Sequence, residues 1–280
     1  MAHLNIFCKV LYNFKCNPQD ITQITRKYGT KAMDSTTPTQ QFYDAFETAY
    51  SHFNTRLFFN ELPPVIFTIT RKLKCMGYFS PERWTSNAGE NCHEIAINPT
   101  YIANNTLIEV LQTLAHEAVH CWQTSSGKPS RNGYHNKEWA EKMESIGLMP
   151  SDTGQPEGKK TGQNMSDYPI QEGAFLEACR ALLKDKQFSL PWLDRQAKPA
   201  IQKPIPNWLE NSNEEGSSEF ELLLTTMAEL LPGVVLEEEP QVYNTKTKYT
   251  CEGCQLNVWG KTNLNLSCDD CDTKLEPQGV

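Results

Sequence analysis

The stretch LAHEAVHCWQ, Leu114 to Gln123, determines how the rest of the chain is interpreted. Apolar side chains recur at helical spacing through it and before it, at Leu107, Leu111, Leu114, Ala118 and Cys121. Residues four apart lie on the same face of a helix, so His116 and His120 project together, with Glu117 beside them. Two imidazoles one helical turn apart can bind one zinc ion, and a carboxylate next to them can accept a proton from a zinc-bound water.

A catalytic zinc ion needs three protein ligands and one open position, so a third ligand has to be found. The candidates are His135, His93, Glu138, Glu141 and Glu144. The three glutamates fall mostly on the face of a predicted helix opposite Trp139 and Met143, which is typical of solvated charges. We favour His135, because a glycine-containing loop before it is long enough to return to His116 and His120. His93 lies near a predicted strand, and we expect it to be structural.

Helices and short strands alternate around this stretch. Thr37 begins a predicted helix, and three candidate strands follow at 65–70, near 77–85 and near 94–98. We predict that these strands form an antiparallel meander. Thr106 and Glu109 then form a capping box for the helix that carries the histidines.

A third helix is predicted over 137–146, with Asn136 as its N-cap and Gly147 as its C-terminal stop. Beyond it we expect a short helix at Ala174–Lys186 and an acidic amphipathic helix at Ser217–Leu231 that packs on a neighbour. The pattern predicts an α+β fold.

The run from Phe42 to Asp152 resembles the SprT-like domain, the zinc metalloprotease module also present in the Spartan proteases. The similarity includes LAHEAVHCWQ, the stretch GYHNKEWAEKM at 133–143 and the ending GLMPSD. The zinc ligands and catalytic glutamate of that family match His116, His120, His135 and Glu117. The resemblance implies a zincin-like fold of helices packed on a small antiparallel sheet, and for Spartan-type members it implies cleavage of proteins attached to DNA.

A second metal pattern lies near the C-terminus: Cys251-x-x-Cys254, then residues 255–267, then Cys268-x-x-Cys271. Two such pairs suit a structural zinc ion with four thiolate ligands; a disulfide or free thiols are the alternative. The stretch KYTCEGCQLNVWGK resembles the zinc ribbon that follows the SprT-like domain in bacterial and phage relatives. Trp259 and Tyr249 are candidates for stacking on nucleic-acid bases, although packing within the ribbon is the more ordinary use of such residues.

The chain has 280 residues, a net charge of −8 and ten cysteines. The opening MAHLNIFCKVLYNF has no basic leader, and no apolar run approaches the roughly 20 residues of a membrane span. We therefore expect a cytoplasmic protein, associated with the nucleoid if it acts on DNA. The acidic balance argues against bulk coating of nucleic acid. Any DNA contact would use the N-terminal arm, the ribbon, or Arg71, Lys72 and Lys74.

These patterns divide the chain into a basic N-terminal arm at 1–36, a SprT-like zincin domain at 37–152, a partly disordered connector at 153–245 and a zinc ribbon at 246–276. The predicted activity is peptide hydrolysis with Glu117 as general base, on protein substrates that include proteins bound or crosslinked to DNA. Tyr134 is a candidate for stabilising the oxyanion. The alternative is a non-catalytic, zinc-stabilised adaptor that binds nucleic acid or acts in transcription.

Overall fold

The computed structural model of the chain describes residues 37–131, 133–184, 188, 190–200, 218–231, 233–237 and 246–278. It separates into two compact units, the first ending at Leu236 and the second beginning at Glu237. The predicted N-terminal arm at 1–36 lies outside the described residues. Among the described residues, no helix is both long and apolar enough to cross a membrane.

The first unit has the mixed α+β composition that the sequence predicts. Its elements, in chain order, are α1 (Pro38–Leu57), β1 (Val65–Ile69), β2 (Gly77–Thr85), β3 (Asn91–Ile97), α2 (Pro99–Ile102), α3 (Leu107–Ser126), α4 (Lys137–Ser145), β4 (Leu148–Ser151), β5 (Ser166–Pro169), α5 (Ala174–Lys184), α6 (Ser218–Leu224) and α7 (Met227–Leu230).

The predicted caps set the ends of the main helices. Thr37 accepts a hydrogen bond from the Gln40 amide at the start of α1. Thr106 and Glu109 form the capping box of α3. Asn136 accepts from the Trp139 amide at the start of α4, and Gly147 adopts a φ of +90° just after that helix, a conformation that favours glycine.

The meander prediction is wrong. The strand order is β1-β3-β2, with β1 parallel to β3 and β2 antiparallel to it. The chain therefore leaves β1, crosses the end of β3, and returns as β2 on the other side. The central strand is accordingly the most buried, with residues 94–97 all buried.

Asn98, which is fully buried, holds the crossing segment in place. Its Nδ2 donates to the carbonyl oxygens of Lys72 at 2.8 Å and Cys75 at 2.7 Å. Its main-chain amide donates to the carbonyl of Met76 at 2.9 Å. These bonds satisfy backbone groups of the segment that joins β1 to β2 and hold that segment across the end of β3.

The hydrophobic core of the first unit extends past residue 152, the predicted end of the protease domain. Helix α5 contributes Phe175, Leu176, Ala178, Cys179 and Leu182 to the same core as α1 and α3. Strand β5 pairs with β4 in antiparallel register, with Pro150 opposite Asp167. Part of the segment predicted to be a connector is therefore built into the folded unit, whereas residues 201–217 and 238–245 lie outside the described residues.

The acidic helix predicted at Ser217–Leu231 divides into α6 and α7. Thr226 caps the second piece: its hydroxyl accepts from the Glu229 amide, and the Glu229 carboxylate accepts from the Thr226 amide at 3.1 Å. This T-x-x-E pattern is visible in the sequence and marks a helix start. The expected packing is present, with Phe220, Leu223 and Met227 in the core.

The second unit is a small antiparallel sheet in the order β7-β6-β9-β8. Its strands are β6 (Thr247–Cys251), β7 (Asn257–Gly260), β8 (Ser267–Cys268) and β9 (Thr273–Gln278). Its buried cluster contains Tyr249, Cys251, Cys268 and Leu275. A core of this size is too small to sustain a fold alone, which is typical of a unit that depends on a bound metal ion.

Candidate metal centre and active site

Three imidazoles converge on one point in the first unit. Helix α3 presents His116 and His120 on the same face, with ring centroids 5.1 Å apart. The Nε2 atoms of His120 and His135 are 3.1 Å apart. One ring nitrogen from each of the three histidines lies within 4.8 Å of the others. The structure therefore brings His135 to the pair on α3, as the sequence interpretation favours.

His135 is positioned by backbone pairing with Gly162. The His135 amide donates to the Gly162 carbonyl at 2.8 Å, and the Gly162 amide donates back at 3.1 Å. The Nδ1 atom of His135 also lies 3.2 Å from that carbonyl oxygen. A carbonyl only accepts, so Nδ1 carries the proton and the lone pair on Nε2 points toward the other two rings.

His116 is held by a carboxylate that the sequence interpretation missed. Its Nδ1 is 2.9 Å from Oδ2 of Asp167, whose side chain is 1% exposed. The carboxylate accepts from Nδ1, which leaves Nε2 of His116 as the ligand atom. Asp167 lies past the predicted domain boundary, and a single aspartate on a short strand gives no spacing signal that would have identified it.

The indole of Trp139 packs against the imidazole rings of all three histidines. Its ring centroid is 5.0 Å from that of His116, 5.5 Å from that of His120 and 4.3 Å from that of His135. The indole is fully buried on α4. Fixed rings keep their lone pairs aimed at one point, which reduces the entropy lost when a metal ion binds.

Two of the three histidines have lowered pKa values and are neutral near pH 7. Burial lowers the pKa of His120 well below its ordinary value, and the neighbouring His116 and His135 lower it further. Burial, followed by the effect of His116, lowers the pKa of His135 to about 4. Metal ions bind the neutral form of imidazole, so protons do not compete for these two rings near pH 7.

The spacing of the rings fits zinc. Zinc–nitrogen bonds of about 2.05 Å in a tetrahedron place two ligand nitrogens about 3.3 Å apart. The observed separation between the Nε2 atoms of His120 and His135 is 3.1 Å. Two lone pairs held this close repel each other unless a proton or a metal cation lies between them. Three imidazoles also match the donor set of a catalytic zinc ion that keeps a fourth position open.

Glu117 lies beside the histidines at the bottom of an open groove and is 7% exposed. The groove has a volume of about 940 Å³. One wall is β2 from Gly77 to Arg83, and the other consists of residues 129–135 and 163–165, apart from residue 132. A carboxylate with this access can reach both a water molecule and a peptide bound in the groove.

The β2 wall has an irregular end. Its register with β3 shifts between Ser80 and Trp84, and Glu82, within the shift, has a φ of +46°. The Glu82 amide donates to Nδ1 of His93 at 2.9 Å. His93 therefore binds the backbone of the bulge through Nδ1, as expected for a histidine with a structural role.

The other candidate ligands lie elsewhere. Glu138 accepts hydrogen bonds from the Gln123 side chain and the Lys128 amide. Glu141 pairs with Lys137, and Glu144 pairs with Lys160. Tyr134 lines the groove, with the Arg131 guanidinium 5.7 Å from its ring centroid. Its predicted role at the oxyanion stays a prediction.

The four cysteines of the second unit also form a cluster. One sulfur from each of Cys251, Cys254, Cys268 and Cys271 lies within 4.8 Å of the others. The sulfurs of Cys254 and Cys268 are 3.6 Å apart. Zinc–sulfur bonds of about 2.3 Å in a tetrahedron give an edge of about 3.8 Å, so the cluster fits a structural zinc ion. None of the four forms a disulfide.

Tyr249 is not available for base stacking. It is 1% exposed, its hydroxyl donates to the Lys261 carbonyl at 2.8 Å, and it accepts from the Leu264 amide at 2.9 Å. Trp259 is 61% exposed. Of the two aromatic residues considered for stacking, the tryptophan alone presents its ring to solvent.

The part of the chain that contains the three histidines is similar to a known protein family. A model of the SprT-like family matches residues 46–160. An uncharacterized protein in the mucB 3' region of Salmonella typhimurium is 45% identical over 47 residues, which is 17% of this chain and 64% of that protein. The chain thus spans somewhat less than two thirds of the length of this relative. No solved structure matches the chain significantly. Residues 46–160 of the chain are therefore similar to the SprT-like family.

Proposed function

We propose that the first unit is a zinc-dependent peptidase in which His116, His120 and His135 hold the ion and Glu117 is the general base. The observation that carries this proposal is the convergence of three imidazoles beside a carboxylate at the bottom of an open groove. A structural zinc site would use a fourth protein ligand and would not need a solvent-accessible groove.

A zinc ion bound there supplies Lewis acidity that polarises the scissile carbonyl and lowers the pKa of the attacking water. Glu117 accepts a proton from that water as its oxygen bonds to the carbonyl carbon. It then delivers the proton to the amide nitrogen as the carbon–nitrogen bond breaks. The products are a carboxylic acid and an amine, so atoms and charges balance.

The groove favours an extended peptide as substrate. Among the described residues, β2 pairs with β3 alone, so the main-chain amide and carbonyl groups of its outer edge have no strand partner. That edge lies along the groove from Gly77 to Ser80, before the bulge. A peptide of any sequence can be added there as a further strand, because the hydrogen bonds form through its main chain. Protein segments that are unfolded or flexible meet this requirement.

The test is Glu117→Gln, with Glu141→Gln as a matched control on an exposed face of α4. The glutamine side chain cannot take a proton, so cleavage of casein and self-cleavage should fall by at least about a hundredfold. Zinc content should stay at the wild-type level, because Glu117 is not a proposed ligand. Retained proteolysis in Glu117→Gln would reject the role of Glu117, and loss of activity in Glu141→Gln would show that the assay reports stability instead.

We further propose DNA-associated or DNA-crosslinked proteins as the substrates, with single-stranded DNA bound by the ribbon. Lys248 is directly opposite Trp259 across β6 and β7, so both lie on the same outward face. An exposed indole beside a lysine can stack on a base while the ammonium group contacts a phosphate.

Single-stranded DNA should increase cleavage of a generic protein, and Trp259→Ala should remove the increase while leaving basal cleavage intact. Equal stimulation in the variant would place the DNA elsewhere. If wild-type protein binds two zinc ions and DNA but cleaves no protein, the nucleic-acid adaptor replaces the peptidase as the function.

A further inference from the structure

The segment that supports the histidine site extends beyond residue 160, where the SprT-like match ends. Gly162 accepts from Nδ1 of His135 at its start, and Asp167 accepts from Nδ1 of His116 further along. Two of the three proposed ligands, His135 and His116, are thus held by residues 162–167, which lie beyond the region that matches the SprT-like family.

We propose that Asp167, clamped by Gln112, is a positioning residue that fixes His116 for zinc. This inference rests on the proposed function, because it assigns a role relative to the zinc ion of that site. Asp167 does not touch the substrate or the reacting atoms. It acts through the ring of His116.

The clamp uses both hydrogens of one side-chain amide. Nε2 of Gln112 lies 2.7 Å from Oδ1 of Asp167 and 2.6 Å from its main-chain oxygen. One carboxylate oxygen therefore accepts from Gln112, and the other, Oδ2, is left for His116 at 2.9 Å. Gln112 is 4% exposed and lies on α3 one turn before His116. Helix α3 therefore carries both His116, the proposed ligand, and Gln112, which orients the Asp167 carboxylate that contacts His116.

The surrounding strands make this arrangement rigid. Asp167 lies opposite Pro150 in the two-stranded β4–β5 sheet. A carboxylate that is removed from water needs hydrogen-bond donors for its oxygens, and the observed donors are the Gln112 amide and the His116 ring. An alternative rotamer of Asp167 would lose them. The ring of His116 is consequently held with its proton on Nδ1 and its lone pair on Nε2.

A carboxylate on the far side of a ligand imidazole increases the basicity of the ligand nitrogen, and loss of such a partner commonly weakens metal binding by about 10 to 100-fold. We expect Asp167→Asn to weaken zinc binding at the histidine site by a factor in this range. The asparagine side chain has nearly the same shape but carries no charge. Asp152→Asn is the matched control, because Asp152 is exposed and its Oδ1 accepts a hydrogen bond from the Lys159 amide, away from the histidine cluster.

The measurement is a titration of the full chain with cobalt(II), followed by competition with zinc. Cobalt bound to thiolates gives a sulfur-to-metal charge-transfer band, whereas cobalt bound to histidines gives ligand-field bands without it. The ribbon therefore serves as an internal reference in every sample. Asp167→Asn should weaken binding and shift the ligand-field bands at the histidine site, with the thiolate band unchanged. Asp152→Asn should match the wild type at both sites.

Gln112→Ala provides a second, milder variant that leaves Asp167 in place. It should weaken metal binding by less than Asp167→Asn, and the double variant should be no weaker than Asp167→Asn alone, because both changes act on one arrangement. Should Asp167→Asn fail to fold, Gln112→Ala decides the question. Metal affinity within twofold of the wild type in the folded variants, with unchanged ligand-field bands, would overturn the inference and leave the peptidase proposal standing. A wild-type chain that binds one cobalt ion only, at the thiolates, would instead defeat the peptidase proposal.

Discussion

Gly77, at the start of β2, packs against both β3 and the helix that carries the histidines, and its replacement by alanine tests the geometry of the groove. A Cβ at residue 77 would lie 2.9 Å from the main-chain oxygen of Ala96, 3.3 Å from Cγ2 of Thr113 and 3.9 Å from Cγ of Glu117. Ordinary contact begins at 3.4 Å, so β2 has to retreat from its neighbours by about 0.5 Å. The contact that is too close involves backbone, which cannot rotate away.

Overpacking of this kind costs about 1 to 3 kcal/mol of stability. For a unit of this size, each kcal/mol lowers the melting temperature by about 2 to 4 °C. The same displacement changes the position of β2, the proposed substrate-binding edge, relative to Glu117. A misplacement of 1 Å lowers the rate by about a hundredfold, so a displacement of about 0.5 Å should lower kcat by about tenfold.

Gly89→Ala is the control. Gly89 lies in the turn between β2 and β3 with a φ of +82°, and a Cβ there would meet nothing within 4 Å. Alanine at this conformation costs about 1 to 2 kcal/mol without crowding the groove. Both variants should therefore melt at lower temperature, but kcat at 20 °C, well below melting, should fall in Gly77→Ala only. An unchanged kcat and melting temperature in Gly77→Ala would refute the close packing of Gly77 against β3 and α3.

Three further predictions concern other parts of the molecule. The pKa of an unfolded histidine is about 6.5 and that of folded His135 is about 4, so between these pH values the unfolded chain binds a proton that the folded chain does not. The free energy of unfolding of the metal-free protein, measured with urea, should therefore decrease as the pH drops from about 6.5 to 4. The decrease should be less steep in His135→Gln. Asn98→Ala should cost about 2 to 4 kcal/mol in the same assay because it removes three hydrogen bonds of a fully buried side chain. Asn104→Ala, which removes one side-chain bond to Lys198, should cost about 1 kcal/mol. Cys251→Ser should abolish zinc binding by the ribbon without changing the melting temperature of the first unit, as judged by elemental analysis and calorimetry.

The helices could be predicted from the sequence because their signals are local. The Thr106 and Glu109 capping box, the Asn136 cap and the Gly147 stop each depend on residues a few positions apart. The spacing of the cysteines and histidines is local in the same sense. The four-residue spacing of His116 and His120 on a helix is enough to predict that both lie on one face, whatever the rest of the fold.

The sheet topology could not be predicted in this way. Alternating strands and short turns are equally compatible with a meander and with the observed order. In the observed order, the segment that joins β1 to β2 is held by Asn98, which bonds to carbonyls that precede it by more than twenty residues. Such a contact is produced by the tertiary fold and has no signature in the local pattern.

The support of the histidine site was missed for the same reason. Gln112 and Asp167 are 55 positions apart in the chain, and neither belongs to a recognisable spacing. Their partnership requires β5 to lie beside α3, which depends on the β4–β5 pairing. Sequence alone therefore identified the candidate ligands but not the groups that aim them.

The most direct test of the histidine centre is the zinc content of purified His135→Ala compared with the wild type. Elemental analysis should find two zinc ions per wild-type chain and one in the variant, with the remaining ion in the ribbon and proteolysis lost. Two zinc ions in His135→Ala, at wild-type affinity, would show that the loop histidine is not a ligand and would contradict the account of the site.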